Sequence, residues 1–281
     1  MDFLQSILMG VVQGISEFLP ISSSAHLVFT SNFYKVFNGV EIIQHSNQEI
    51  FLDIMLHLGT LIAVLIYYRK EVSGIIQALY LGIKTKNYKE PKFLLGMYII
   101  LGTVITVIIA YPLDGVAAYM VFKPNLVGVL LIITGLILIL SEYFSKKVQT
   151  KQKLTLKKSI LIAMAQGLAA LPGFSRSGLT ISAGLFAGMD RNDAAKYSFL
   201  LSIPIILGAS MFYPLISLDF KEVTSYNWAS IIIGTFVSGC VGYLCIKYFI
   251  KFVGKFSLAI FGYYCLLAGF ITAIFFSLKV I

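Results

Sequence analysis

The sequence predicts an all-α polytopic membrane protein, and three observations carry this prediction. Of its 281 residues, 58% are hydrophobic and 12% are charged, and the mean hydropathy is +0.87, a composition unlike that of a soluble domain. Six apolar runs are long enough to cross a bilayer, at roughly 20 residues per spanning helix. Two further apolar segments are interrupted by proline and serine. We therefore expect one integral membrane domain over residues 1–281.

The six predicted transmembrane helices carry few charged residues, which is the hydropathy signal of a membrane span. The three cysteines of the chain all lie in these runs, where they serve as small hydrophobic side chains and not as disulfide or metal-binding groups. The predicted spans are residues 50–68, 93–111, 126–144, 196–214, 229–249 and 258–278.

The basic character of the chain follows this topology. A net charge of +9 can indicate nucleic-acid binding. It can also reflect the concentration of lysines in the cytoplasmic connections of a membrane protein, so the positions of the lysines along the chain distinguish the two interpretations. The connections 69–92 and 145–158 are rich in Lys, whereas the connection 38–49 has no Lys or Arg. The positive-inside rule places the two Lys-rich connections in the cytoplasm. We therefore expect membrane lipids as partners and no nucleic acid.

Two apolar segments are interrupted and cannot span as single helices. Residues 4–37 are broken by Pro20 and a serine cluster, and residues 159–189 are broken around residues 172–177. Each arm is about 10–15 residues long, which is too short to cross a bilayer alone. Irregular backbone at membrane depth is tolerated where it lines a cavity, so we predict two re-entrant helix-break-helix hairpins.

The two halves of the chain are predicted to be inverted-topology repeats, over residues 1–145 and 158–281. A re-entrant segment followed by three crossings carries the chain to the other side of the membrane, so the second half begins on the opposite face. The sequence QGISEFLPISSS at residues 13–24 also resembles QGLAALPGFSRS at residues 166–177. Broken helices at matching positions of inverted repeats indicate a binding site near the membrane midplane.

The first broken segment carries an acid, an amide and a histidine. Gln13 and Glu17 are four residues apart and share one helical face, and their oxygens suit a hard divalent cation such as Mg²⁺ or Ca²⁺. The serines at 22–24 can cap the second arm and expose hydroxyls, and His26 follows them. The alternative is a neutral, hydrogen-bonded Glu17 with serines that only cap the helix. Ionisable groups within a membrane are usually functional, which favours a ligand site.

The second broken segment supplies a cation. Arg176 lies between Ser175 and Ser177, directly before a predicted helical arm. A guanidinium beside hydroxyls and free N–H groups at a helix N-terminus is the chemistry of a phosphate site. Arg176 paired with Glu17 is the alternative interpretation, and an empty anion site can hold such a pair.

Other candidate groups give weaker evidence of a functional role. Asp53 and His57 are four residues apart near the start of a predicted span, and we interpret them as an interfacial pair without a catalytic role. The sequence contains no GxxxxGK[ST], HExxH or GxSxG motif. ATP-driven, zinc-protease and esterase chemistry therefore lack their signatures.

The two broken segments together resemble a known family. Residues 13–27 read QGISEFLPISSSAHL, and residues 172–180 read PGFSRSGLT. They fit an (E/Q)xxxE helix that runs into a serine-rich turn and a histidine, together with a PGxSRSxxT motif. In these motifs the chain resembles the undecaprenyl-pyrophosphate phosphatase family of bacteria, the bacitracin-resistance type, and the resemblance covers the whole chain.

The resemblance implies a hydrolase of the bacterial inner membrane. Its substrate would be a long-chain isoprenyl pyrophosphate lipid, the C55 carrier, from which it removes the terminal phosphate so that the monophosphate is recycled for peptidoglycan synthesis. The predicted topology opens the first hairpin to the outside, so we expect the active site to face the outer side. A homodimer is an assembly that the sequence leaves open.

The resemblance also implies a set of site residues. We expect Glu17 or His26 to act as general base, and the nucleophile is Ser23, Ser175 or an activated water. The implied catalytic residues are Glu17, His26, Ser23, Ser175 and Arg176, the substrate-binding residues are Ser22, Ser24, Gly173, Ser177 and Thr180, and the metal ligands are Gln13 and Glu17.

A carrier is the alternative function. A lipid-phosphate flippase or small-anion transporter would use the same midplane site without hydrolysis, and Glu17 and His26 would then couple transport to proton movement. The clustering of hydroxyls, acid, histidine and arginine favours the enzyme, because binding alone does not need this set of nucleophiles and bases.

Overall fold

The computed structural model describes residues 3–37, 47–147, 151–217 and 223–279, and these ranges contain helices and no strand. The predicted connection 38–49 lies largely outside the described residues. The helices are α1 (Phe3–Ser16), α2 (Ser23–Phe37), α3 (Asn47–Tyr67), α4 (Arg69–Thr85), α5 (Pro91–Ala110), α6 (Asp114–Val121), α7 (Pro124–Ser145), α8 (Leu156–Leu168), α9 (Arg176–Phe186), α10 (Arg191–Ser217), α11 (Trp228–Val253) and α12 (Ala259–Lys279).

Six of these helices are long and apolar enough to cross a membrane, which confirms the predicted spans. They are α3, α5, α7, α10, α11 and α12, and α5 continues through a 3-10 turn into α6. Large apolar side chains on their outer faces stay exposed, such as Ile108 and Phe236, each 66% exposed. Apolar exposure on this scale fits contact with lipid and not with water. The protein is therefore a multi-pass membrane protein.

A helix also forms in one of the segments that the sequence analysis treated as a connection. Helix α4 occupies most of the Lys-rich connection 69–92, and it also exposes Ile76, Tyr80 and Ile83. A helix with lysines and exposed apolar side chains fits a position in the membrane interface. Hydropathy missed it because lysines lower its mean hydropathy below that of a span.

Both interrupted segments are broken helices, as predicted. The first break, residues 17–22, separates α1 from α2, and the second break, residues 169–175, separates α8 from α9. The Ser22 hydroxyl accepts a hydrogen bond from the Ala25 N–H at 3.2 Å, and the Ser175 hydroxyl accepts one from the Gly178 N–H at 3.0 Å. Each serine therefore caps the arm that follows its break.

Close helix packing brings the two breaks to the centre of the molecule. Helices α1 and α3 lie against α11, α8 lies against α5, and α7 lies against α12. A Cβ atom on Gly135 of α7 would lie 2.6 Å from the carbonyl oxygen of Gly262 on α12, so these helices approach as only glycine permits. The packed pair α7 and α12 contacts both broken helices.

A buried ion pair lies at the C-terminal end of α7, next to the start of α12. The Glu142 side chain is 2% exposed and accepts hydrogen bonds from Arg191 Nε at 2.8 Å and Nη2 at 2.6 Å. It also accepts the Leu258 N–H at 3.0 Å. Because a bidentate guanidinium contact is geometrically specific, this cluster sets the positions of α7, α10 and the start of α12 relative to one another.

Candidate active site

The two breaks contact each other directly. The Ser177 hydroxyl, in the first turn of α9, donates a hydrogen bond to the Leu19 carbonyl in the first break at 3.0 Å. The Arg176 guanidinium, beside it, contacts the Glu17 carboxylate. Residues that are about 160 positions apart in sequence therefore form one polar cluster where the two breaks meet.

Glu17 is the centre of this cluster. Its side chain is buried, at 5% exposure, and Oε1 contacts Arg176 Nη2. Its other oxygen, Oε2, accepts hydrogen bonds from Gln13 Nε2 at 3.0 Å and from the Ser23 hydroxyl at 2.8 Å. A buried carboxylate is costly unless it is paired and hydrogen-bonded, and here the arginine and two donors satisfy it.

His57 joins the cluster, which the sequence analysis did not predict. Its Nε2 lies 3.6 Å from Glu17 Oε2, and its Nδ1 lies 2.7 Å from the backbone carbonyl of Asp53. A carbonyl oxygen can only accept, so Nδ1 carries a proton and Nε2 faces the carboxylate. The i, i+4 spacing was noticed in the sequence, but nothing in it indicated that α3 passes beside the first break.

Two buried polar atoms of the cluster have no hydrogen-bond partner among the described residues. They are Arg176 Nη1 and Gln13 Oε1. Buried groups of this kind are rare because each unmade hydrogen bond costs about 1–3 kcal/mol. Arg176 lines a cavity beside the cluster, so its N–H is positioned to bind an anionic ligand, whereas Gln13 is not among the residues that line that cavity.

The cluster opens into a cavity of about 560 Å³. Its polar end is lined by Glu17, Ser23, Arg176 and His57 together with other hydroxyls of both breaks. Its other walls come from α3, α6 and α10 and are mainly apolar, although Asp53 of α3 and Ser210 of α10 also line them. The apolar lining residues include Ile50, Ile54, Val121, Phe122, Ile205 and Ile206.

The predicted site residues of the second break, catalytic Ser175 and substrate-binding Gly173, Ser177 and Thr180, have structural roles near the cavity. Ser175 caps α9 and lies 3.2 Å from the Ser177 hydroxyl, and Thr180 bonds the Arg176 carbonyl at 2.7 Å and the Ser198 hydroxyl at 2.6 Å. These contacts fix the first turn of α9, from which Arg176 projects. Gly173 has a φ of +104°, a conformation that glycine adopts without strain.

The serines of the first break differ in orientation. Ser23 and Ser24 line the cavity, whereas Ser22 caps α2 and its hydroxyl lies 3.2 Å from that of Ser24. Ser22 has a φ of +71°, which is uncommon for a residue with a side chain. His26 does not line the cavity, since its ring contacts Ser22 and Tyr264 of α12.

This arrangement can perform phosphoryl chemistry. A hydroxyl within hydrogen-bond reach of a carboxylate is a nucleophile beside a base, and a guanidinium with a free donor can bind and neutralise phosphate oxygens. The apolar walls that continue from the polar end fit a hydrocarbon chain. The cavity as a whole therefore fits an amphiphile with a phosphorylated headgroup.

Comparison with known proteins agrees with this geometry. The chain matches the family described as bacitracin resistance protein BacA over residues 6–271. Relatives named undecaprenyl-diphosphatase include one from Methanobrevibacter smithii, 39% identical over 96% of both chains, and one from Methanosphaera stadtmanae, 36% identical over 98% of both chains. Another, from Halothermothrix orenii, is 37% identical over 96% of both chains. The chain belongs to the bacitracin resistance protein BacA family.

Proposed function

We propose that this protein hydrolyses undecaprenyl diphosphate to undecaprenyl phosphate and inorganic phosphate. The observation that carries the proposal is the Ser23, Glu17 and Arg176 cluster at the polar end of a cavity whose other walls are mainly apolar. Family membership supports it, because curated relatives that match nearly the whole chain carry the name of this activity. The protein is accordingly a hydrolase of a phosphoric anhydride.

The cavity suits both parts of the substrate. The diphosphate lies at the polar end, where Arg176 Nη1 has no hydrogen-bond partner among the described residues and donates to a phosphate oxygen. The first isoprene units lie along the apolar walls of α3, α6 and α10. The remainder of the chain continues into the bilayer, because the cavity is far too small for a lipid of this length.

Ser23 is the nucleophile and Glu17 is the general base. Ser23 donates its proton to Glu17 Oε2, 2.8 Å away, and its oxygen attacks the terminal phosphorus. The bond from that phosphorus to the bridging oxygen breaks, undecaprenyl phosphate leaves, and Arg176 balances the developing negative charge. Water then attacks the phosphoserine, the serine oxygen takes back the proton held by Glu17, and inorganic phosphate leaves with the oxygen and protons of that water.

Ser175 and His26 fit these roles less well. The Ser175 oxygen accepts the Gly178 N–H and lies beside the Ser177 hydroxyl, which assigns it to capping α9. His26 lies outside the cavity lining. The hydrogen-bonded pair of Ser23 and Glu17 also favours hydrolysis over transport, since a carrier binds phosphate without an activated nucleophile.

A divalent cation, Mg²⁺ or Ca²⁺, completes the proposed site. Within the described residues, no group of three or more His, Cys, Asp or Glu side chains is arranged to hold a metal ion. Mg²⁺ is commonly held by one or two carboxylates together with substrate phosphates, and Glu17, which lines the cavity, fits that smaller set. Gln13, the second predicted ligand, has an Oε1 without a partner among the described residues, but it is not in the cavity lining. When bound, the cation supplies positive charge to the diphosphate oxygens.

The two broken helices are further proposed to be re-entrant hairpins of inverted repeats. Their packing supports this, because α1 lies against α11 in the second half and α8 lies against α5 in the first. The two breaks also make equivalent contacts with the other half of the chain, as inverted repeats would. Thr134 of α7 donates to the Gly173 carbonyl at 3.2 Å, and Cys265 of α12 lies 3.6 Å from the Pro20 carbonyl, where Gly173 and Pro20 are matching positions.

The active site is proposed to face the outer side of the cytoplasmic membrane. The cavity is lined by the first turns of α3, by α6 and by the later turns of α10. These elements adjoin the connections 38–49, 112–125 and 215–228, which contain at most one Lys or Arg each and which the positive-inside rule therefore places outside. Hydrolysis at this side would act on the carrier lipid in the outer leaflet.

Phosphate release tests the proposed function. Purified protein in detergent is expected to release phosphate from undecaprenyl diphosphate with Mg²⁺ or Ca²⁺, and excess chelator should lower the rate by at least about a hundredfold, because the diphosphate then keeps its full charge. Restoring the cation should restore the rate. Full activity in the presence of chelator would show that the reaction does not need the cation. If the protein bound the lipid but released no phosphate under any condition, the carrier function would be favoured instead.

A further inference from the structure

His26 uses both of its ring nitrogens outside the cavity. Nδ1 lies 2.7 Å from the Ser22 carbonyl oxygen, and Nε2 lies 2.7 Å from the Tyr264 hydroxyl. A carbonyl oxygen can only accept a hydrogen bond, so Nδ1 carries the proton. Nε2 of the neutral ring then accepts from the hydroxyl of Tyr264. The result is a continuous chain of hydrogen bonds from α12 to the first break.

This chain ends on the most constrained residue of the break. Ser22 has a φ of +71°, in a region that costs a residue with a side chain of the order of 1 kcal/mol and persists only where surrounding contacts hold it. Ser22 directly precedes Ser23, the proposed nucleophile. A rotation of the Ser22 peptide would therefore move the Ser23 hydroxyl away from Glu17.

Tyr264 is well placed to hold His26. Its ring stacks on the imidazole, with centroids 5.7 Å apart and planes inclined by 14°. About three helical turns beyond it, Phe276 of α12 packs against Phe33 of α2, with ring centroids 5.2 Å apart. Helix α12 therefore contacts α2 at both ends. Neither Tyr264 nor His26 lines the cavity, so both act through the first break and not on the substrate.

We propose that Tyr264 is a positioning residue, and that the Tyr264–His26–Ser22 hydrogen-bond chain holds the first break so that Ser23 faces Glu17. The inference rests on the proposed function, because it assigns His26 to orienting the nucleophile of that reaction. It also separates two roles for this histidine. A positioning His26 needs the Nδ1–H donor, whereas a general base needs a nitrogen that takes up a proton.

Substitutions of His26 distinguish these roles. The amide nitrogen of asparagine occupies about the position of Nδ1 and can donate to the Ser22 carbonyl, but it cannot take up a proton. We expect His26→Asn to keep kcat within about tenfold of the unsubstituted protein, and His26→Ala to lower it about a hundredfold. KM should change by less than about twofold in both, because neither change touches the substrate.

Tyr264 is tested with a matched pair of variants. Tyr264→Phe keeps the stacked ring and removes the hydroxyl, and it should lower kcat about five- to tenfold, as expected for one lost hydrogen bond in a positioning chain. Tyr263→Phe removes a hydroxyl from the neighbouring residue, which is 63% exposed, and should leave kcat and KM unchanged. Each variant is first checked for a single symmetric gel-filtration peak.

The outcomes separate this inference from the proposed function. Phosphate release by Tyr264→Phe at the unsubstituted rate, or His26→Asn as inactive as His26→Ala, would overturn the positioning chain while leaving the phosphatase in place. No release by the unsubstituted protein would refute the proposed function. Nitrogen NMR of histidine-labelled protein adds a readout that needs no turnover: a His26 resonance of the Nδ1–H tautomer is expected, and an Nε2–H tautomer would contradict the chain.

Discussion

Ser23→Ala is expected to lower kcat for phosphate release by at least about a thousandfold. The Ser23 hydroxyl lies 2.8 Å from the Glu17 carboxylate and lines the cavity, so its removal takes away both the attacking oxygen and the proton that the base accepts. Substrate binding should persist, because Arg176 and the apolar walls remain. The measurement is steady-state phosphate release, accompanied by binding of undecaprenyl diphosphate to the same protein.

Neighbouring variants control this result. Ser24→Ala removes a second hydroxyl from the cavity, but that hydroxyl lies against Ser22 and not against the base, so a loss below about tenfold is expected. Adding Glu17→Gln to Ser23→Ala should lower the rate little further, since residues that act as a unit are not additive. Equal losses in the Ser23 and Ser24 variants would contradict the assignment of the nucleophile.

Arg176→Ala is expected to lower kcat/KM by at least about a thousandfold, the scale of an arginine that stabilises phosphoryl transfer. This guanidinium supplies the positive charge beside Glu17 and, for the diphosphate, the Nη1 donor, which has no partner among the described residues. Its loss also leaves a buried carboxylate without its cation. Phosphate release at several substrate concentrations separates the effect on kcat from that on KM.

Two arginine variants sharpen the test. Arg176→Lys keeps the charge but loses the planar fork of donors, so it should recover only part of the activity. Arg69→Ala removes an exposed arginine at the start of α4 and should behave like the unsubstituted protein. Full activity in Arg176→Lys would mean that charge alone, without the geometry of the guanidinium, is what the site requires.

Much of this structure follows from local signals in the sequence. The spans were predictable because each is one long apolar run, and the breaks because proline, glycine and serine clusters interrupt two such runs. Glu17 and Arg176 stood out since ionisable groups are costly in an apolar protein. The structure brings these two side chains into contact, which was one of the two arrangements that the sequence left open.

The remaining site residues depend on long-range packing. His26 and Tyr264 are 238 positions apart, and no periodicity or motif connects them. His57 looked like a residue paired within its own helix, whereas its free nitrogen faces Glu17 from α3. A single sequence gives side-chain spacing along one helix, but it does not give the register between helices, and that register decides which polar groups share the cavity.

The most direct test of the central claim, that hydrolysis occurs in the cavity between the two breaks, is chemical blockage of that cavity. In protein whose cysteines Cys240, Cys245 and Cys265 are replaced by serine, Ala118→Cys places one thiol in the cavity lining, on α6. Gly115→Cys places one on the same helix, at a position where a Cβ atom has no neighbour within 4 Å among the described residues. Both are treated with a membrane-impermeant maleimide.

We expect the maleimide to abolish phosphate release by Ala118→Cys, undecaprenyl diphosphate to slow its labelling, and labelled Gly115→Cys to remain active. Labelling from the outer side of oriented vesicles would also fit the proposed orientation. Complete labelling of Ala118→Cys with undiminished phosphate release would contradict the account, because the substrate would then reach its nucleophile by another route.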